Sequence, residues 1–448
     1  MSHPSRREFL RGAAVGVGAL AVPGFAVGAQ ATGERPPNVV LIISDDQGWG
    51  DYGFMGHPTI RTPRLDRLAG ESVVFTRGYV TASLCCPSLA SMVTGLHPHQ
   101  SGVTSNDPPA VKGKPRWGAE RLKLRGEVIA NIDRVATVPR LLGEKGYLSL
   151  QTGKWWLGNH KRGGFTHGMT HGDPKRGGRH GDAGLTIGRK GMKPITDFLD
   201  AAGGKPFFIW YAPFMPHSPH TPPERLLSKY KDKTPSIHIA RFWAMCEWFD
   251  ETCGQLLDAL EKRGLSKNTL VLYVCDNGWI QQANSRGFAP RSKRSRYDGG
   301  LRTPIMVRWP GRVKPRRDDD TPVSSVDLAP TILAACGLEP TARMQGVNLL
   351  DAKAVAGRKA VFGAVYSHDA VDITKPRSSL EYLWCVEGRW KLIVPGPRTA
   401  KAAKPELYDV KADPHEKQNL AKQQAETVGR LRGLIEAWYE KDSLEKHA

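Results

Sequence analysis

Three stretches of this chain are apolar on successive residues: NVVLIIS at 38–44, KPFFIWYAP at 205–213 and NTLVLYVCDNG at 268–278. A strand with one wet face alternates apolar and polar side chains, whereas a strand covered on both faces has no need to. The runs therefore predict a mostly parallel sheet flanked by helices. Helical patterning lies between them, most clearly over 239–264, where Phe242, Met245, Trp248, Phe249, Leu256, Leu257 and Leu260 recur at helical spacing and Gly264 offers a stop. Alternating strand and helix gives an open α/β fold, and ligands of such sheets gather at the carboxyl ends of the strands.

All three strand ends run straight into polar residues. Asp45 and Asp46 follow the first, His217 follows the second, and Asp276 and Asn277 follow the third. Carboxylate and amide oxygens without thiolate or imidazole are hard ligands that suit calcium, with magnesium as the alternative. An Asp-Asp pair taken alone is usually a cap or a turn, and so is Asp-Asn-Gly. Two such pairs, each ending a buried strand, point to one shared site.

The pattern changes after about residue 345, to short strands such as YLWCVEGRWKLIV, a turn-rich ELYDVKADPHEKQNLA and a closing helix from about 420. This predicts a catalytic α/β domain over 32–345 and a smaller α+β subdomain over 346–448. Residues 1–31 read as a twin-arginine export signal, with Arg6 and Arg7 ahead of Phe9, Leu10 and a weakly apolar Gly/Ala run. That run is short, glycine-rich and interrupted by Pro23, which argues against a stable membrane anchor. The expected location is the periplasm or the exterior, reached through the twin-arginine machinery in a folded state. Seven cysteines without a repeating spacing predict no disulfide framework. A formal charge of +20 suits an anionic substrate; with no nucleic-acid motif in the chain, a small anion or a polysaccharide is favoured.

Cys85 and Cys86 are adjacent, in SLCCPSLASMVTG. A disulfide between neighbours is strained, and zinc ligand pairs are normally separated by about two to four residues. Pro87 is favoured at the first position of a helix and Gly95 ends the run, so Cys85 is placed at a helix start, where free N–H groups and the dipole stabilise an anion. Here the residues carry a resemblance. LCCPSLASMVTG resembles the signature of the sulfatases, in the alkaline phosphatase superfamily, whose first cysteine is oxidised to formylglycine. LIISDDQGWGDYG, TGKWWLG, PFMPHSPH, DNG, KRSRYDGGLRTPIMVRWPG and ELYDVKADPHEKQNLA are similar to further segments of that family, in order along most of the chain. The resemblance implies calcium held by Asp45, Asp46, Asp276 and Asn277 with the modified Cys85. It also implies Lys154 and Lys293 on the sulfate oxygens, His217 protonating the leaving alcohol, and a formylglycine-generating enzyme as a partner.

Two positions depart from the family pattern. The signature arginine, which supports the formylglycine and its installation, is Leu89, and the histidine of the family's GKWHLG segment is Trp156, which can only donate a hydrogen bond. The segment downstream offers His160, His167, His171 and His180 as replacement bases, and Lys161, Arg162, Lys175, Arg176 and Arg179 as further anion contacts. The expected function is a calcium-dependent hydrolase of sulfate esters, of carbohydrates above all. A phosphate or phosphonate ester hydrolase on the same scaffold is the first alternative, and a catalytically silent protein that binds sulfated glycans is the second.

Overall fold

The computed structural model describes residues 35–441, apart from 116–117, 177 and 179–181. The export segment 1–31, Arg179 and His180 lie outside the described residues. The elements below belong to one unit that begins at Pro36. The larger sheet comprises β1 (Asn38–Ser44), β2 (Val73–Tyr79), β3 (Leu148–Gly153), β4 (His167–Gly168), β5 (Phe207–Ala212), β6 (Thr269–Cys275), β7 (Arg302–Arg308), β8 (Arg316–Asp318) and β9 (Val323–Ser324). A smaller antiparallel sheet follows, of β10 (Val361–Tyr366), β11 (Leu380–Glu387), β12 (Trp390–Pro395) and β13 (Glu406–Asp409).

The three apolar runs are β1, β5 and β6, and they lie side by side at the centre of the sheet. The order is β4-β3-β5-β1-β6-β7-β2-β8, with β9 beside β2. Val39 pairs in parallel with Phe208 on one side and Leu270 on the other. Alternate residues of these strands enter two different cores: Val39, Leu41, Phe208, Trp210, Leu270 and Leu272 pack on one face. Val40, Ile42, Ile209, Tyr211, Val271 and Tyr273 pack on the other. Both faces are dry, so the middle of each strand is apolar or aromatic at every position, polar residues such as Asn38, Ser44 and Thr269 fall only at strand ends, and the alternation is lost. Only β7 opposes its neighbours β6 and β2. It follows β6 through one long loop at the carboxyl end, so the chain simply turns back.

The long helix Ile237–Lys262 covers the second face, its Met245, Phe249, Cys253 and Leu256 in that core. Ser236 caps it, accepting from the Ile239 N–H at 3.2 Å. The same helix caps another: Asp250 accepts from the backbone N–H of Leu65 (2.7 Å) and Arg64 (3.2 Å), at the start of α1 (Pro63–Gly70). The smaller sheet packs through Cys385, Leu392 and Leu407 on Leu431 and Ile435 of the closing helix Ala425–Lys441. A buried ion cluster joins it to the rest, Lys391 Nζ lying 2.7 Å from Asp298 and 2.8 Å from Glu416. All seven cysteines are free. No helix among the described residues is long and apolar enough to cross a membrane.

Burial pushes the Asp250 carboxyl from its ordinary 3.8 up to about 7, against the pull of the Leu65 and Arg64 amides. Between those values the folded chain binds more protons than the unfolded chain, so this group makes stability fall as pH rises from about 4 to about 7. Asp250→Asn keeps an oxygen for the cap and removes the titration. Denaturant unfolding at about pH 5 and about pH 8 is expected to show a smaller loss of stability in the variant than in the parent protein; equal losses would exclude Asp250 as the source.

Candidate active site

The carboxyl ends of β1, β5 and β6 are tied together through the backbone before any side chain acts. The Asp45 N–H donates to the Met215 carbonyl at 3.1 Å, and the Asp276 N–H donates to the Ser44 carbonyl at 2.9 Å. Asp46 has a left-handed backbone (φ 61°), a conformation that aspartate tolerates better than most residues, and it turns the chain so that successive carboxylates share one space. β3 adds a lysine from the other side. Gly153 has φ 76° and a Cβ there would lie 1.8 Å from the Ala212 carbonyl oxygen, so only glycine lets the Lys154 N–H reach that oxygen at 2.6 Å.

The side chains then form one buried network. Lys154 Nζ bridges Asp45 Oδ1 (2.5 Å) and Asp276 Oδ2 (2.7 Å), while Lys293 Nζ holds both oxygens of Asp46 at 2.6 and 2.7 Å. Asn277 Nδ2 donates to Asp46 Oδ1 at 2.7 Å, and the Cys85 thiol lies 3.4 Å from Asn277 Oδ1. His217 Nε2 is 3.4 Å from Asp46 Oδ2, its Nδ1 is 2.6 Å from the Ser218 carbonyl, and its ring stacks on Phe214. Asp45, Asp46, Cys85, Lys154, His217, Asp276, Asn277 and Lys293 therefore lie within one cluster.

The donor set fits a hard divalent cation. Three buried carboxylates face two ammonium groups, leaving an excess of negative charge, and Asp45 Oδ2 is buried without a hydrogen-bond partner. Ligand atoms of Asp45, Asp46 and Cys85 all lie within 4.8 Å of one another. Burial pushes the Asp45 carboxyl well up, Lys154 opposes this, and the neighbouring Asp276 and Asp46 add to it. Burial acts the same way on Asp46, but Lys293 and His217 outweigh it and hold that carboxyl low. Burial also raises the Cys85 thiol, against Lys154 and Lys293, so an unmodified Cys85 is a protonated, weak nucleophile.

Cys85 opens α2 (Cys85–Thr94), a helix buried along its whole length and ended by left-handed Gly95. The helix starts two residues before Pro87, which takes the third position rather than the first. This costs nothing, because the first four N–H groups of a helix have no intrahelical partner for proline to lose. Leu89 is in the apolar core one turn after Cys85. Trp156 is buried with its ring 5.6 Å from Lys154 Nζ, in a cation–π contact, and 6.0 Å from Phe214.

Among the described residues of the histidine-rich loop, no histidine joins the cluster. His160 Nδ1 faces the Thr170 carbonyl at 3.0 Å, His171 lies 3.4 Å from Asp182, and His167 rests on Phe198 from edge strand β4. Three other residues at the site were not foreseen. Asn106 Oδ1 accepts from the Cys86 N–H at 2.8 Å, Trp279 lies against Lys293, and His220 is buried between Phe242 and Trp279. The second histidine of PHSPH was visible, but nothing in its spacing distinguished it from a loop residue.

Comparison with known proteins agrees with this geometry. The profile of the sulfatase family matches residues 37–338, and that of the N-sulphoglucosamine sulphohydrolase C-terminal region matches 288–437. N-acetylgalactosamine-6-sulfatase of Canis lupus familiaris is 29% identical over 387 residues, covering 76% of this chain and 68% of its own, so this chain spans about two thirds of that relative. N-acetylgalactosamine-6-O-sulfatase of Bacteroides thetaiotaomicron is 25% identical over 506 residues, covering 90% and 93%. The crystal structure of Ps i-CgsB in complex with k-i-k-neocarrahexaose shares the fold, with a TM-score of 0.72 at 22% identity over 91% of this chain and 94% of that one. Because the family profile runs without a break from β1 past the last strand of the larger sheet, taking in every residue of the cluster, this chain belongs to the sulfatase family and is a sulfuric ester hydrolase.

Proposed function

We propose that the protein cleaves sulfate esters of carbohydrates with Cys85, converted to formylglycine, as the nucleophile, and that it is exported through the twin-arginine pathway to the periplasm or beyond. The observation that carries the reading is the position of Cys85 at a buried helix start, beside Asn277 and within ligand distance of Asp45 and Asp46. Relatives named for sulfated galactosamine, together with the basic charge of the chain, support the carbohydrate.

Asp45, Asp46, Asp276, Asn277 and the modified Cys85 would hold calcium, or magnesium in its place. When bound, the cation supplies positive charge where sulfate oxygens and nucleophile meet. An ammonium group has three donors and two on each lysine are accounted for by carboxylates, so Lys154 and Lys293 each have one left for a sulfate oxygen. One hydroxyl of the formylglycine hydrate would attack sulfur as its proton passes to the unpartnered Oδ2 of Asp45, the bond from sulfur to the alcohol oxygen would break, and His217 would give that oxygen a proton. The second hydroxyl then loses its proton, the carbon–oxygen bond to sulfate breaks, and the aldehyde returns. His217, left neutral by the first step, is placed to take that proton, which removes the need for a base at Trp156.

Three outcomes follow from this reading. The tryptic peptide Gly78–Lys112 from protein made in its own host is expected to carry formylglycine at Cys85; two intact cysteines would overturn the nucleophile and favour a silent binding protein. Chelator-stripped protein is expected to gain about 2.7 kcal/mol of stability at about 100 times the calcium Kd. Asp45→Asn should lose most of that gain, and an unchanged melting temperature with either calcium or magnesium would remove the cation from the site. His217→Ala acting on nitrophenyl sulfate, whose leaving group needs no proton, is expected to release one equivalent and then stall with sulfate on the Gly78–Lys112 peptide. Continued turnover at the parent rate would assign the second step to another base.

A further inference from the structure

A cleft of about 700 Å³ opens at the same carboxyl end of the sheet, between the loop after β1, the loop after β6, the start of the long helix and the turn after β13. This is within the range of pockets that enclose a ligand of several rings. Its walls carry Trp49, Phe242, Trp243, Trp279 and Ile280, and Ile280 is 44% exposed. Of these, Phe242 and Trp279 are buried behind the surface, while Trp49 and Trp243 are half-buried and, with Ile280, offer apolar area to the cleft beside polar groups, as a binding surface does. The basic residues Arg291, His415 and Lys417 complete the lining. Arg291 is held in place: its guanidinium lies 3.5 Å from the centre of the Tyr297 ring and donates to the Glu416 carbonyl. The acidic side chains that line the cleft, Asp51 and Glu416, are engaged elsewhere, with the Gly48 N–H and with Lys391.

The cleft and the catalytic cluster share a wall. Trp279 lines the cleft, and its ring lies 5.6 Å from Lys293 Nζ, which in turn binds Asp46. Flat aromatic faces suit the C–H faces of sugar rings, and cations suit their sulfate groups. We infer that this cleft is a binding subsite for further sugar residues of a sulfated oligosaccharide whose scissile sulfate is at Cys85. The inference rests on the proposed carbohydrate substrate and narrows it, from a sulfated monosaccharide to a chain of several sugars.

Two surface variants test it, Lys417→Glu and Ile280→Asp, each measured with nitrophenyl sulfate and with an end-labelled sulfated galactosamine hexasaccharide, by hydrolysis and by direct binding. The expected result is a tenfold or larger rise in KM and Kd for the hexasaccharide, with kcat and the small ester unchanged. Hexasaccharide KM and Kd within twofold of the parent for both variants would overturn the subsite, as would equal losses on both substrates. If the parent protein binds the hexasaccharide but hydrolyses neither compound, the hydrolytic reading fails, while weaker binding by the variants would still uphold the cleft. Trp243→Phe, which keeps a ring in the wall, is expected to bind the hexasaccharide nearly as well as the parent, and a tenfold loss there would show that the effect is not one of aromatic stacking.

Discussion

The burial of three carboxylates beside two lysines, at the one end of the sheet where β1 and β6 finish together, sets the terms for the rest of this molecule. Isolated charges cannot be kept in a dry interior, and a buried pair that loses one partner costs about 3–5 kcal/mol. The chain therefore needs every member held in register. That requirement explains the close backbone contacts around the cluster, from the glycine that brings Lys154 to the Ala212 carbonyl to the left-handed turn at Asp46. It also explains why the ammonium groups alone leave the site incomplete: with Asp45 Oδ2 buried and unpartnered, the cluster is built to receive more positive charge.

The same accounting applies at the join between the two sheets. Lys391 comes from β12, Asp298 from the loop before β7 and Glu416 from the turn after β13, and Tyr79 of β2 adds its hydroxyl to Asp298. Asp298 is only five residues from Lys293, so the smaller sheet anchors the loop that carries the lysine paired with Asp46. A second bridge does similar work, where Arg358 pairs with buried Asp327 ahead of β10. The carboxyl-terminal region thus supports the site from behind and also lends it His415 and Lys417 at the mouth of the adjoining cleft.

The two departures from the family pattern have different physical consequences. Leu89 replaces a cation by core packing, since its side chain lies in the apolar cluster. Trp156 replaces an imidazole by a ring that lies near the Lys154 ammonium, so it preserves the position of the lysine while giving up a proton acceptor.

Much of this was legible in the sequence, for reasons that can be stated. Unbroken apolar runs identify strands dry on both faces, and they fixed β1, β5 and β6 to within a few residues; the long helix was equally plain from its spacing. Polar residues set at or shortly after the ends of those runs fall at the carboxyl ends, so Asp45, Asp46, His217, Asp276 and Asn277 were recoverable as one group. The sequence by itself therefore determined the fold class and brought these five residues together as one candidate group. Only tertiary structure decided which lysine meets which carboxylate, that the histidines of the 160–171 loop are engaged elsewhere, and that Asn106, His220 and Trp279 surround the cluster. Those contacts join residues far apart in the chain through loops, and loop conformation follows from what the loop packs against rather than from a repeating pattern that a sequence can display.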